Sequence, residues 1–478
     1  MNAVWNGMGT LAVLLLAAGV FSALRVGAGE ALVGAAAVEI TPPPGTPMAG
    51  YYYERPATGV HDDLYAKALV IESAGTTAAL VSLDLLTTTR WVVDEARRQI
   101  ERATGIPGAQ VMVSATHAHT GPVIGGRGEN GWFFGSENNL VREFTGGLPA
   151  KIAEAVKRAH AARQPVTVFA GEGQEDSIAF NRRYRMKDGT VGWNPGKLNP
   201  NIVKPAGPID PALPVVYFET AQHAPVATYA NYTVHLDNVG GAEISADLPY
   251  TVSKLLGEVK GSTLVTLYTT GTCGDVNHLD VNWAEPQHGH ANAARMGTIL
   301  AGDVLRLMPR LQPVRSTTLR CRSEIVELDG AQLAPGDVEK AQAIIAKVRN
   351  DGVPKPKFME QVEAFKIADV AARDGQPLAV EVQVIALGDD VAWAGLPGEI
   401  FVELGLAIKE ASPFRHTIIA ELANGSIGYI PTARAWQQGN YEVVSARCAK
   451  GSGERLVKTA TRLLKELVKA HRRAAQGE

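Results

Sequence analysis

Short apolar runs bounded by Gly, Pro, Asn and Ser clusters recur along the chain, and between them lie stretches with apolar residues every three or four positions. The first kind predicts strands and the second helices. Residues 37–40 read as a short strand, ended by Thr41-Pro42-Pro43-Pro44-Gly45. Residues 65–72 and 77–85 read as a hairpin joined by Ser73-Ala74-Gly75-Thr76. Residues 91–104 put Val92, Ala96, Ile100 and Ala103 on one helical face, which Gly105 and Pro107 close. Residues 111–115 then form a strand, so strand, helix and strand predict a parallel crossover. Further helices are expected at 150–162, 250–256 and 454–470, and further strands at 166–170, 215–218, 226–234, 263–269, 391–394 and 417–422. Residues 189–207 read as a long Gly, Asn and Pro loop. Residues 315–373 hold one strand and two helical patterns without evident chemistry. Val380, Val382 and Val384 alternate with Glu381 and Gln383, as in a half-buried strand. The pattern predicts an α/β fold of layered mixed β-sheets flanked by helices, with ligands at the C-terminal ends of strands.

Polar residues gather at those strand ends. Ser114-Ala-Thr-His-Ala-His-Thr-Gly-Pro122 leaves His117 and His119 at a strand tip, where alternation can turn both imidazoles to one pocket. Paired histidines beside a sharp loop suit an open metal site; surface histidines are the plainer reading. His235, Asp275 with Asn277, Glu399, Tyr429 and Tyr441 occupy comparable places. Each has a plain alternative. His235 could cap its strand, and Asp275 could serve only its turn. Glu399 could open a helix through Ile400, Phe401 and Leu404 and favour its dipole. The tyrosines could be partly buried aromatics with satisfied hydroxyls.

Composition narrows the class. Hydrophobic residues make up 46% of the chain and charged ones 20%, enough for a large core. A net charge of -3, without a basic tract, gives no reason to propose nucleic acid. Cys273, Cys321 and Cys448 are too far apart for a metal knuckle and read as buried small hydrophobes. Residues 10–24 are apolar or small and resemble the core of an export signal spanning 1–28, although the first basic residue is Arg25. An uncleaved anchor is the alternative; either way the chain is expected to be exported (periplasmic, secreted or in the cell envelope). Residues 33–470 read as one large catalytic domain and 471–478 as a polar tail. The sequence carries no signal of oligomeric state.

Taken in order, these pieces resemble the neutral/alkaline non-lysosomal ceramidase family. Residues 114–122 look like its Ala-Thr-His-Thr-His-Ser-Gly-Pro signature. Phe180-Asn181-Arg182, Ile244-Ser245-Ala246-Asp247 after His235, Gly274-Asp275-Val276, Pro397-Gly398-Glu399, Gly428-Tyr429-Ile430 and Tyr441-Glu442 are similar to segments that recur there in the same order. The resemblance implies one zinc ion held by His117, His235, Glu399 and Tyr429, with His119, Arg182 and Tyr441 lining the pocket. It implies hydrolysis of an acyl bond, most naturally an amide, by metal-activated water, with a small-molecule or lipid-like acyl substrate and peripheral association with membranes. Tyr441 and Arg182 would stabilise an oxyanion, and His119 would relay a proton to the leaving amine.

Two departures bear on the substrate. Asn277 stands where the family has an active-site serine and cannot act as an alkoxide nucleophile. Typical members also carry a C-terminal sandwich domain, so the resemblance is to the catalytic part alone. A zinc esterase or lactonase, and a non-catalytic binding protein with a degenerate site, therefore stay open, as does an envelope structural protein. A metallo-β-lactamase-type site is disfavoured, because Gly121 and Pro122 stand where its acid and imidazole are needed.

Overall fold

The predicted hairpin lies near one edge of a nine-stranded mixed sheet. Tyr65–Ser73 pairs antiparallel with Thr76–Leu83, which pairs parallel with Val111–Ala115 across the helix Arg90–Thr104. The sheet continues on the other side through Ala31–Glu39, Gln164–Gln174, Ala212–Glu219, Pro225–Tyr232 and Val265–Thr270, and Gln312–Pro313 pairs with Gln164–Gln174. A second sheet joins Leu319–Leu328, Leu378–Leu387, Val391–Gly395 and His416–Ala420. This computed structural model describes residues 31–125, 134–350 and 352–476. The export-signal reading of residues 1–28 lies outside them.

The two sheets pack face to face. Leu69, Ile71, Leu80 and Phe218 of the larger sheet share a core with Ile385, Trp393 and Ile418 of the smaller. Helices cover the outer faces. Arg90–Thr104 and Asn139–Ala161 bury Val92, Ile100, Ile152 and Val156 against Val70, Val81 and Val113. Leu248–Lys260 and His290–Leu307 cover the rest of the larger sheet through Val252, Leu256, Met296 and Leu300. Val402–Ala411 and Ser452–Gln476 cover the smaller sheet, with Leu404, Leu463 and Leu467 against Val380, Val382 and Val384. The result is helix, sheet, sheet, helix. Gly105 ends its helix as predicted: at φ +75 it donates its backbone N–H to Glu101.

Several expectations need correction. Glu381 and Gln383 do alternate with valines, but their face meets the other sheet rather than water. Glu381 takes 2.7 and 3.0 Å ion pairs from Arg97 and Arg90, and the Gln383 carbonyl accepts from Asn424 at 2.8 Å. Residues 189–207 are not a featureless loop: Val191–Trp193 and Ile202–Pro205 flank Arg183–Met186 in a small sheet. The second helix starts at Asn139, not 150. Gly146, Gly147 and Pro149 read as breakers, yet buried Val141, Leu148 and Ile152 keep one face in the core. The last helix runs on to Gln476, through most of the expected polar tail. Cys273 and Cys448 are buried, while Cys321 is only partly so. No helix among the described residues is long and apolar enough to cross a membrane.

Candidate metal centre

Four separate strand ends converge on one cavity. Val111–Ala115 stops short of His117, whose backbone is left-handed at φ +74. His117 and His119 therefore come together through a turn and not through strand alternation. Leu85 holds that turn by accepting from the N–H groups of His117 and Ala118, at 2.9 and 3.1 Å. A non-glycine residue at such a φ costs free energy and persists only where its surroundings fix it. His235 follows the parallel strand Pro225–Tyr232, and its N–H donates to Val276. Glu399 does not open a helix. Glu399–Ile400 is a two-residue strand paired parallel with Tyr429–Ile430, so Glu399 and Tyr429 are register partners. The helix begins only at Val402.

The electrostatics at this point call for a cation. His117 Nδ1 donates to the Leu86 carbonyl and His235 Nδ1 to the Cys273 carbonyl, each at 2.9 Å. A carbonyl can only accept, so both rings carry the proton on Nδ1 and turn a lone pair outward from Nε2. Those two Nε2 atoms stand 2.8 Å apart. Glu399 Oε2 lies 3.4 and 3.3 Å from them, buried and without a hydrogen-bond donor. Tyr429 Oη is 3.3 Å from His235 Nε2, and His119 Nε2 is 3.3 Å from His117 Nε2. Burial alone would push the His117 pKa down, but the Glu399 carboxylate outweighs it and the pKa rises. His235 is pushed down to about 4 by burial, helped by Arg182 and His117. Lone pairs and an anionic oxygen facing one another in a buried space repel unless a positive charge joins them. Imidazole nitrogen and carboxylate oxygen are ordinary donors for a divalent transition metal, and the backbone carbonyls orient the rings as outer-shell partners do. The ring nitrogens of His117, His119 and His235 lie within 4.8 Å of one another, so this buried group can hold a metal ion.

Residues 31–276 match the family described as neutral/alkaline non-lysosomal ceramidase, N-terminal. The chain belongs to that family. Membership implies an amide hydrolase. Two solved structures are similar in fold. A neutral ceramidase from Pseudomonas aeruginosa is 21% identical with a TM-score of 0.71, over 91% of this chain and 74% of its own. A ceramidase complexed with C2 is 19% identical with a TM-score of 0.70, over 92% and 76%. No curated protein matches the chain.

In this ceramidase-family chain the short motifs interlock around these side chains. Gly274 donates its N–H to Ile400 O at 2.8 Å, Asp275 Oδ1 accepts from Val402 N and caps the following helix, and Asp275 Oδ2 accepts from Asn181. Arg182 sits behind the cavity wall, its Nε and Nη2 donating to Glu442 and to Gly274 O, with its guanidinium 5.4 Å from the Tyr429 ring centre. Tyr441 lines the cavity, packed on Trp193 at 4.4 Å. Asn277 is fully buried; it donates to Asn194 and accepts from Leu279 N, and does not line the cavity. Three further residues matter here. Glu442, noted only as the neighbour of Tyr441, joins Arg182 and Arg183. Gly50 leaves room for the His119 ring, since a Cβ there would fall 2.6 Å from its Nδ1. Phe365, from the helices read as lacking chemistry, lines the cavity. The adjacent Arg182-Arg183 pair was the one readable hint of a buried acid.

Gly274 offers a local test of the ligand geometry. A Cβ there would lie 2.6 Å from the Glu399 carbonyl oxygen, well inside contact distance. Gly274→Ala is expected to push the Glu399 segment away and lower the affinity of the site for a divalent metal about tenfold or more, as changes just outside a metal's ligand shell do. Competition titration against a chelator, with zinc as the probe ion, measures this, and unchanged affinity would refute it.

Proposed function

We propose that the chain is a zinc-dependent hydrolase that cleaves the amide bond of a lipid-like N-acyl compound, with His117, His235, Glu399 and Tyr429 holding the ion. The observation that carries the reading is the buried, donor-free Glu399 Oε2 facing the lone pairs of His117 and His235. Zinc bound there supplies Lewis acidity, which lowers the pKa of water toward neutrality. The remaining work falls to the chain. His119 lines the cavity next to His117 and moves the proton to the leaving amine. The Tyr441 hydroxyl donates to the oxygen on which negative charge develops. Arg182 acts as a positioning residue: pinned by Glu442 and Gly274 O, it keeps a positive charge over the rings of Tyr429 and Tyr441. The wall formed by Tyr52, Phe134, Phe365 and Tyr441 excludes water and suits an apolar chain. Asn277 spends its amide on structure, so no nucleophile is asked of it. The test is turnover of a panel of N-acyl lipids and simple amides by zinc-loaded protein, with matched esters in parallel. Amide cleavage that a chelator abolishes and zinc restores is expected. No amide turnover by the zinc-loaded protein would overturn the reading, and cleavage confined to esters would reassign the bond.

A further inference from the structure

One charged side chain in the cavity wall has no part in the metal centre. Arg447 faces the cavity of about 140 Å³ that His117, His119 and Glu399 also line. Its Nε is taken by a close ion pair with Asp369, itself 5% exposed, on the helix Phe358–Ala371. Its Nη1 and Nη2 have no acceptor among the described residues. Nη1 lies against Gly428, where a Cβ would come within 2.8 Å of it, so glycine there leaves the space the guanidinium occupies. Its backbone carbonyl accepts from Ala331 N at 2.7 Å, which fixes the segment. The arginines beside it in the fold are spent: Arg182 and Arg183 on Glu442, and Arg55 on the carbonyls of Ala49, His119 and Gly241. The surrounding wall is aromatic. A purely hydrocarbon ligand would leave those N–H groups desolvated and unpaired, which costs free energy. The planar end of a guanidinium matches a carboxylate.

We infer that Arg447 is a specificity-determining residue that binds a carboxylate on the substrate, so that the amide cleaved joins an apolar portion to an acidic one. The inference rests on the amide-hydrolase reading for the word "cleaved", but the anion subsite can be tested without turnover. Octyloxyacetate and 2-octyloxyethanol share a tail, differ at a carboxylate and contain no hydrolysable bond. Calorimetry on the zinc-loaded chain should show about a tenfold or greater preference for the carboxylate, the usual worth of a charge-assisted pair. Arg447→Gln should bring the ratio to about one, and Arg447→Lys should keep part of it. Asp369→Asn, which removes the competing acid, should raise it. A pair that merely tied down the helix would make the Gln and Asn variants fail together. No preference in the parent protein overturns the subsite. So does a preference that survives in Arg447→Gln, because the carboxylate would then be held elsewhere, at the metal for example.

Turnover then locates the acid. N-octanoylglycine carries it on the amine half, N-octylsuccinamate on the acyl half, and N-octanoylethanolamine lacks it. Either acidic amide outrunning the neutral one supports the inference and identifies the half; equal rates on all three count against it. A binding preference without cleavage of any amide would leave the Arg447 subsite standing and end the amide-hydrolase reading.

Discussion

His117→Ala combined with His235→Ala is expected to remove bound zinc and to lower kcat/KM on any amide the parent cleaves by about a thousandfold or more. The size follows from what the two rings supply. Each is oriented by a backbone carbonyl at 2.9 Å, and their Nε2 atoms meet 2.8 Å apart beside Glu399. Without them the Glu399 carboxylate, the Tyr429 phenol and the neighbouring His119 ring remain, and the two imidazoles that backbone carbonyls orient toward the ion are gone. The fold should survive, because neither ring takes part in an apolar core and both sit in loops beyond strand ends. Elemental analysis after gel filtration, far-ultraviolet circular dichroism and turnover should thus separate: folded, metal-free, inactive. A double variant that still carries one equivalent of zinc and still turns over would sink the ligand assignment.

How much of this could be read in advance depends on the range of the interaction. The crossover from residue 77 to 115 was legible because its apolar period, its Gly105 stop and its strands are local. The convergence of His117, His235, Glu399 and Tyr429 was legible through the resemblance of short ordered motifs, since nothing in the spacing between residues 117 and 429 implies contact. Glu399 shows where local reading fails. Pro397-Gly398-Glu399 before Ile400, Phe401 and Leu404 has the signature of a helix start, yet a parallel pairing with Tyr429–Ile430, more than twenty residues away, holds the segment extended. Glu381 and Gln383 fail for the same reason. Alternation identified their face correctly but could not tell water from the packed interior, where Arg97 of the helix Arg90–Thr104 meets Glu381. Arg447 had no local signal, because its significance comes from a cavity assembled by residues 50–52, 117–119, 365 and 426–445.

The other large effect expected is on stability, at Glu442. This carboxylate is fully buried and receives Arg182 Nε at 2.9 Å and Arg183 Nη1 at 2.7 Å; the two guanidiniums are themselves 3% and 1% exposed as residues. Removing one partner of a buried ion pair costs about 3–5 kcal/mol, because the charge left behind has neither water nor counter-ion. Glu442→Ala strands two such charges. The loss should therefore approach the about 5–15 kcal/mol by which a folded domain exceeds its unfolded state. The variant is expected to be recovered mainly unfolded or as aggregate. Glu442→Gln keeps an acceptor of the same shape and should cost less. Arg183→Met in the Glu442→Ala background should restore part of the loss, since a thioether needs no counter-ion and one stranded charge disappears. Urea unfolding of the four proteins gives the comparison. A midpoint for Glu442→Ala close to that of the parent would mean that water reaches both guanidiniums, and the buried network would then not be what holds Arg182 against Tyr429 and Tyr441.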